Sequence, residues 1–358
     1  MIGGGLRSPG HRNNALVLSA DEPSVQRYCL VVPKEKAEAV RQDLLAKGLL
    51  EKNLTIVREG NVILLPVKEH FDSPFQFEER DLEEAFRPIS HYSEVVDIPD
   101  ELRSLLPTSL DVIGDVALIR LPDGLRDHGP AIGDAILKAY KNVRCVFADE
   151  GVQGEFRIRK LIHLAGESRT KTLYREHGLT YAVDVSKAYF SPRLATERVR
   201  VTEQVKPGEV VLDLFTGVGP YAIMIARRRE PSIVYAVDSN PAAFELLEEN
   251  VRRNRADRVR PMLADARHAL NVIGKADRII LDLPQSAPEF YLGALQALNP
   301  GGTLHYYEIL EAAGMGEREE WLRRGAESAK VTIDTTKIRE VKAYSPAQRH
   351  MAFDIRIC

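Results

Sequence analysis

Val210-Val211-Leu212-Asp213-Leu214-Phe215-Thr216-Gly217-Val218-Gly219-Pro220 is an apolar run that reaches an acidic residue, passes two glycines and meets a proline. The pattern predicts a buried strand, a turn where backbone can approach a ligand closely, and a helix opening at Tyr221 whose free N–H groups face that ligand. Outward from this stretch the chain alternates. Strand-like runs at Ile233–Val237, Val259–Leu263, Arg278–Leu281 and Thr303–Ile309 are spaced by helical patterns at Tyr221–Arg228, Pro241–Asn254 and Pro288–Leu298. Such repeated units predict an α/β, doubly wound parallel sheet with its ligand at the carboxyl ends of the strands. A helix near Glu317–Ser328 and two β runs, Val331–Asp334 and Met351–Ile357, are expected to complete it.

Asp213, Asp238, Asp265 and Asp282 fall at or just after the ends of successive strands, so the fold would gather them on one rim. Taken singly, each could be an ordinary turn or helix cap. As a set they point to a bound cofactor. The turn admits a nicotinamide dinucleotide or S-adenosylmethionine. It lacks the third helix-packing glycine of the dinucleotide fingerprint, and a final β pair suits the adenosylmethionine-type sheet. Asp238 is then placed for ribose hydroxyls, Asp265 for the adenine amino group, and Asp282-Leu283-Pro284 for the meeting point of methyl group and acceptor.

Upstream, residues 1–24 offer little to bury and are expected to form a flexible leader. Residues 25–84 predict a small αβ domain. It has a strand at Tyr28–Val32, a helix carrying Ala37, Val40 and Leu44, a hairpin around Glu59-Gly60-Asn61, and a linker from His70 through Glu84. Residues 85–185 predict a mostly antiparallel α+β domain, with β runs at Ile113–Leu121, Val143–Phe147, Glu155–Arg159, Ile162–Ala165, Lys171–Arg175 and Leu179–Asp184 and a helix near Pro130–Tyr140. Residues 186–358 are expected to form the domain that carries the doubly wound sheet and its cofactor.

With 358 residues and a formal net charge of −3, the chain is no wholly basic nucleic-acid binder, though local basic faces are compatible with that charge. Cys29, Cys145 and Cys358 have no paired spacing, which excludes a disulfide framework and a cysteine zinc site and suits a reducing cytoplasm. No stretch reaches the length of a membrane span, and a cytoplasmic monomer without structural metal is expected.

Asp184-Val185-Ser186-Lys187-Ala188-Tyr189-Phe190-Ser191-Pro192-Arg193-Leu194-Ala195-Thr196-Glu197-Arg198 closely resembles the signature of the archaeal and eukaryotic tRNA (guanosine-37-N1) methyltransferases. The likeness includes Gly154-Glu155-Phe156-Arg157, the opening strand and turn, His305-Tyr306-Tyr307 and Val341-Lys342-Ala343-Tyr344-Ser345-Pro346. It implies a Rossmann-like, class I adenosylmethionine-dependent methyltransferase domain, preceded by the small αβ domain and an α+β RNA-binding domain. S-Adenosylmethionine is the implied cofactor and tRNA the implied partner.

The same resemblance implies Glu197 as general base for guanine N1, Arg157 as the cation on O6, and Asp282 at the reacting centre. It implies cofactor contacts by Arg198, Phe215, Gly217, Asp238, Ser239, Asp265, Ala266 and Asp282, and acceptor contacts by Tyr189, Arg193 and Pro284. A carboxylate and a cation are what the reaction needs, since N1 must lose a proton while charge builds on O6. By spacing alone, Glu197 and Arg193 could be a surface i,i+4 ion pair and Arg157 part of a solvated strand. The family usually has Asn where this chain has Asp282, and an ionised Asp accepts hydrogen bonds without donating. An alternative is a wybutosine-pathway transferase acting on a modified guanosine-37. Asp238 argues against its aminocarboxypropyl branch, where the resemblance implies Glu.

Overall fold

The structure is a computed structural model in which residues 26–83, 89–311, 314–345 and 347–358 are described. The expected leader lies outside them. The chain forms two compact units, Met1–Pro88 and Ile89–Cys358.

In the first unit, β1 (Gln26–Pro33), α1 (Lys34–Ala46), β2 (Val57–Glu59), β3 (Val62–Val67) and β4 (Gln76–Asp81) build an antiparallel sheet of order β2-β3-β1-β4. Leu30, Val32, Leu44, Leu65 and Val67 form its core under Ala37 of the helix. The expected linker is corrected here, because β4 pairs with β1 from Gln26↔Asp81 to Val31↔Gln76. Its sequence QFEERD carries one apolar residue, Phe77, which packs on the core while the rest faces solvent. An edge strand held by backbone bonds needs no alternating pattern.

The second unit begins with β5 (Asp111–Ile113), β6 (Val116–Ile119), α2 (Gly129–Ala139), β7 (Cys145–Gln153) and β8 (Ile158–Gly166). The expected single run over Ile113–Leu121 is broken into two strands at Gly114, whose φ is +61°. Expected strand Glu155–Arg159 is mostly a turn between β7 and β8, and Arg157 itself has φ +52°. The hairpin β9 (Lys171–Glu176) and β10 (Leu179–Asp184) follows.

Next come α3 (Ala195–Gln204), β11 (Val210–Asp213), α4 (Pro220–Arg228), β12 (Ile233–Asp238), α5 (Pro241–Asn254), β13 (Val259–Leu263), α6 (Ala266–Ile273), β14 (Ala276–Leu281), α7 (Ala287–Gln296), β15 (Leu298–Glu311), α8 (Met315–Ser328), β16 (Ile333–Ala343) and β17 (Gln348–Ile357). The sheet order is β13-β12-β11-β14-β15-β17-β16. β11 pairs in parallel with β12 and β14, and β17 runs antiparallel between β15 and β16. Two strands exceed their expected lengths: β15 begins before the expected turn at Asn299–Gly302, and β16 extends nine residues beyond Asp334.

The expected boundary near residue 185 does not separate two compact units. One apolar core runs from Ile113, Cys145 and Phe147 through Tyr181 and Val183 to Val211 and Ile223. Two asparagines on one face of α5 stitch the hairpin to the catalytic sheet. Asn250 accepts the Ala182 N–H at 2.6 Å and donates to the Ala182 carbonyl at 3.0 Å; Asn254 does the same for Thr180 at 3.0 and 2.8 Å. Side-chain amides, spaced one helical turn apart, thus serve as the neighbour that β10 lacks on that edge.

Candidate active site

β11 ends at Asp213, where both strand neighbours bury it. Thr216 Oγ1 donates to Asp213 Oδ2 at 2.7 Å, and the Thr216 N–H reaches the Val237 carbonyl at 2.9 Å. Gly217 and Gly219 turn the chain with φ of +55° and +90°, and Pro220 opens α4 at its first position, where a missing N–H costs nothing. A Cβ on Gly219 would stand 2.5 Å from Leu247 Cδ1, so both backbone sign and packing require glycine.

Beyond this turn lies a cavity of about 230 Å³. Its cofactor side is lined by Phe215, Gly217, Asp238, Ser239 and Asp265; its other side by Arg157, Tyr189, Asp282 and Pro284. Asp238 Oδ2 accepts the Gly217 N–H at 2.7 Å and Oδ1 that of Asn240 at 2.9 Å. Asp265 caps α6 by accepting the Arg267 N–H at 2.7 Å. Arg157 donates to the Gln285 side chain, and its guanidinium lies 5.5 Å from the Tyr189 ring centre, with that of Arg159 at 5.4 Å. Cation–π contacts therefore hold Tyr189 at the mouth.

Several expected site residues stand elsewhere. Ala266 is buried at the start of α6 and is not part of the cavity wall. Arg193 also lies off the wall, paired with Asp111 at 2.7 Å rather than with Glu197. Arg198 reaches the wall, but its guanidinium is held by Glu176 through two hydrogen bonds and by the Ser191 carbonyl at 3.2 Å. Glu197 is 1% exposed and off the wall. Its Oε1 accepts the Tyr307 hydroxyl at 2.6 Å and Arg200 at 2.7 Å, and its Oε2 meets Arg339 at 2.9 Å. The helix face that carries Glu197 turns into the protein, toward a buried chain in which Arg200 also bonds Asp354, and Asp354 bonds His305 at 2.6 Å.

The wall also contains residues that the sequence reading did not single out as site residues. Lys342 of β16 and His350 of β17 are register partners and both reach the cavity. His350 Nε2 is buried with no hydrogen-bond partner among the described residues, 3.8 Å from Asp282 Oδ1. Burial, and then the Lys342 charge, push His350 down to about 4, which keeps it neutral near pH 7. No local pattern marks this pair, although the Lys342 segment lay within the family resemblance.

The acidic ends crowd one another. Burial pushes Asp213 up to about 7 and Asp282 up to about 6; it also raises Asp238, against the two backbone N–H groups that favour its charge. Among the described residues Asp213 Oδ1 has no hydrogen-bond partner. Such a donor set fits a ligand carrying positive charge and hydroxyl groups, as a sulfonium nucleoside does. Among the described residues no group of three or more His, Cys, Asp or Glu could hold a metal ion, and no helix is long and apolar enough to cross a membrane.

Residues 172–333 match the TRM5/TYW2 methyltransferase domain, residues 92–170 the TYW2 N-terminal domain and residues 29–75 the tRNA methyltransferase 5 N-terminal domain. The chain is 42% identical over 328 residues to tRNA (guanine(37)-N(1))-methyltransferase Trm5b of Pyrococcus abyssi, spanning 91% of this chain and 98% of that protein. Its fold matches the crystal structure of Trm5b from Pyrococcus abyssi with a TM-score of 0.80 at 41% identity, over 92% of this chain and 99% of the other. It matches a complex of aTrm5 and tRNALeu with a TM-score of 0.77 at 32% identity, again over 92% and 99%. Matches of this extent, on a fold and cavity built as described, place the chain in the Trm5b-type tRNA (guanine-37-N1) methyltransferase family.

Proposed function

We propose that this protein methylates N1 of guanosine-37 in tRNA with S-adenosylmethionine as donor. The observation that carries the reading is that one cavity gathers Asp238, at the end of β12, and Asp265, just after β13, on one side and Asp282, Arg157 and Tyr189 on the other. One half can hold a nucleoside and the other a flat base.

Bound S-adenosylmethionine would supply an electrophilic methyl group on its sulfonium. The chain's own residues do the rest. Asp238 and Ser239 hold the ribose, Asp265 receives the adenine amino group, and Phe215 and the Gly217 turn form the floor. Arg198 shapes the wall through Glu176 and Ser191. Tyr189 and Pro284 bracket the target guanine, and Arg157 stabilises the charge that builds on O6. Glu197, held by Arg200, Arg339 and Tyr307 behind the cavity, is the carboxylate that takes the N1 proton. The first unit, by its size and family, grips a distant part of the tRNA.

Methyl transfer from labelled S-adenosylmethionine to an unmodified tRNA transcript tests the reading. Label at position 37, recovered as 1-methylguanosine, is the expected result. Label that persists after guanosine-37 is replaced overturns it.

A further inference from the structure

We infer that Asp354, oriented by His305, is a positioning residue that holds Arg200 by its far edge so that Glu197 can take up a proton. This rests on the function proposed above. Glu197, Arg200 and Gln204 share one face of α3, since they are three and four residues apart. The Arg200 guanidinium is forked between two carboxylates. Its Nε and Nη2 donate to Glu197 Oε1 at 3.0 and 2.7 Å, while Nη2 also donates to Asp354 Oδ1 at 3.0 Å and Nη1 to Asp354 Oδ2. Behind Asp354 the bonds continue. His305 Nδ1 donates to Asp354 Oδ1 at 2.6 Å, Arg278 Nη1 stands 2.8 Å from His305 Nε2, and Arg278 Nε donates to Glu209 at 2.8 Å. A guanidinium can only donate, so the Arg278 contact makes Nε2 the acceptor and leaves the imidazole proton on Nδ1. Burial also lowers His305 and keeps its ring neutral. His305 and Asp354 are register partners on β15 and β17, so the sheet itself sets the contact.

Arg200, Arg278 and Arg339 face Glu197, Asp354 and Glu209, cation against anion. When guanine N1 gives its proton to Glu197, that carboxylate becomes neutral and its guanidinium partners lose a counter-charge. Arg339, 35% exposed, can turn to water. Arg200, 18% exposed, is largely enclosed, and a stranded buried charge is costly. Asp354 removes that cost by staying ionised on the other edge. Burial pushes its carboxyl up, but the His305 hydrogen bond and then Arg200 outweigh burial and hold it well below the usual carboxylate range. Also facing Glu197 are the phenols of Tyr307 on β15 and Tyr221 on α4, Asp282 after β14 and His350 on β17. Without the Asp354 charge, Arg200 would act on Glu197 alone, stabilise its ionised form and make it a weaker base.

Single-turnover methylation of guanosine-37 tRNA between pH 5 and 8.5 tests this with wild type and Asp354→Asn, which keeps an acceptor for Arg200 without the charge. In the variant the break above which the rate levels off is expected to move down by about one pH unit. The plateau rate should fall by up to about tenfold, because a weaker base passes part of that shift to the barrier, with cofactor and tRNA affinities little changed. A break that stays in place while the rate or the stability in urea falls makes Asp354 a brace for the fold and overturns the inference, as does a break that moves up. Nitrogen-15 NMR of the wild-type imidazoles is a second readout that needs no variant to fold. His305 should keep its proton on Nδ1 and stay neutral across this range; a proton on Nε2, or a ring that becomes charged within the range, overturns the arrangement. Formation of 1-methylguanosine by wild type is scored separately: its absence counts against the proposed function, and its presence with an unmoved break in Asp354→Asn counts against Asp354 alone.

Discussion

Asp238 fastens Gly217: the carboxylate at the end of β12 accepts the Gly217 N–H at 2.7 Å and so holds the glycine turn of the neighbouring strand. Its other oxygen takes the Asn240 N–H at 2.9 Å, at the start of the next helix. One side chain thus sets the floor of the cofactor half of the cavity. Replacing it with alanine is expected to weaken S-adenosylmethionine binding at least tenfold, about 1.4 kcal/mol, as measured by calorimetry. Unchanged affinity in a folded Asp238→Ala protein would confine Asp238 to turn geometry.

Glu176 and Arg198 form an ion pair with both side chains almost fully buried, at 3% and 2% exposure. Removing one partner strands the other charge. Glu176→Ala should cost roughly 3–5 kcal/mol in urea unfolding, with a matching loss of cofactor affinity because the Arg198 wall loosens. A loss below 1 kcal/mol would show that the guanidinium finds another acceptor.

Asp213 makes stability depend on pH in a predictable direction. Burial raises its folded value to about 7, above the unfolded value near 3.8. The folded state therefore binds more protons between those limits, and this group's contribution is fully present below pH 4 and lost as pH rises through 7. Asp213→Asn keeps an acceptor for Thr216 Oγ1 without the charge. Relative to wild type it should gain stability from pH 4 to about 7 and level off above that, by up to several kcal/mol, in parallel urea titrations. A constant difference across that range would mean that Asp213 is not the group responsible.

The same crowding couples cofactor binding to protons. A cationic ligand favours the ionised forms of Asp213, Asp238 and Asp282, all raised by burial. Affinity for S-adenosylmethionine should rise between pH 5 and 8, and binding at pH 6 should release protons, visible as a dependence of calorimetric heat on buffer ionisation enthalpy. Affinity that falls with pH would contradict the electrostatic reading.

Gly219→Ala places a Cβ 2.5 Å from Leu247 Cδ1 and 3.0 Å from Ile223 Cδ1, on backbone with φ +90°. The expected cost is about 1–3 kcal/mol from overpacking, with a further penalty for the left-handed backbone. Thermal unfolding measures it, and an unchanged Tm would mean the turn relaxes freely.

The turn at Gly217–Pro220 and the helices that follow β11 and β12 were legible because their signals are local. Apolar runs, a glycine pair and a proline lie within a few residues of one another, and backbone sterics translate them directly into structure. The rim of acidic strand ends followed from the fold class alone, since doubly wound sheets gather such ends. Expected strand Ile113–Leu121 failed for the converse reason: an apolar run does not reveal that Gly114 has positive φ and breaks it.

What tertiary structure alone decided is where long-range partners lie. β4 and most of β16 carry mixed, charged sequences, and become strands because β1, far away in the chain, and β17, the next strand, supply hydrogen bonds. Arg198 and Glu197 are adjacent in sequence but face different surroundings. One meets Glu176 at the wall, the other meets Tyr307 and Arg339 behind it. Lys342 and His350 enter the cavity only because antiparallel register sets them side by side. Local sequence determined the turn, the cofactor fold and the family signature; how each carboxylate is paired was decided by packing, because charge pairing and burial depend on neighbours that sequence spacing does not name.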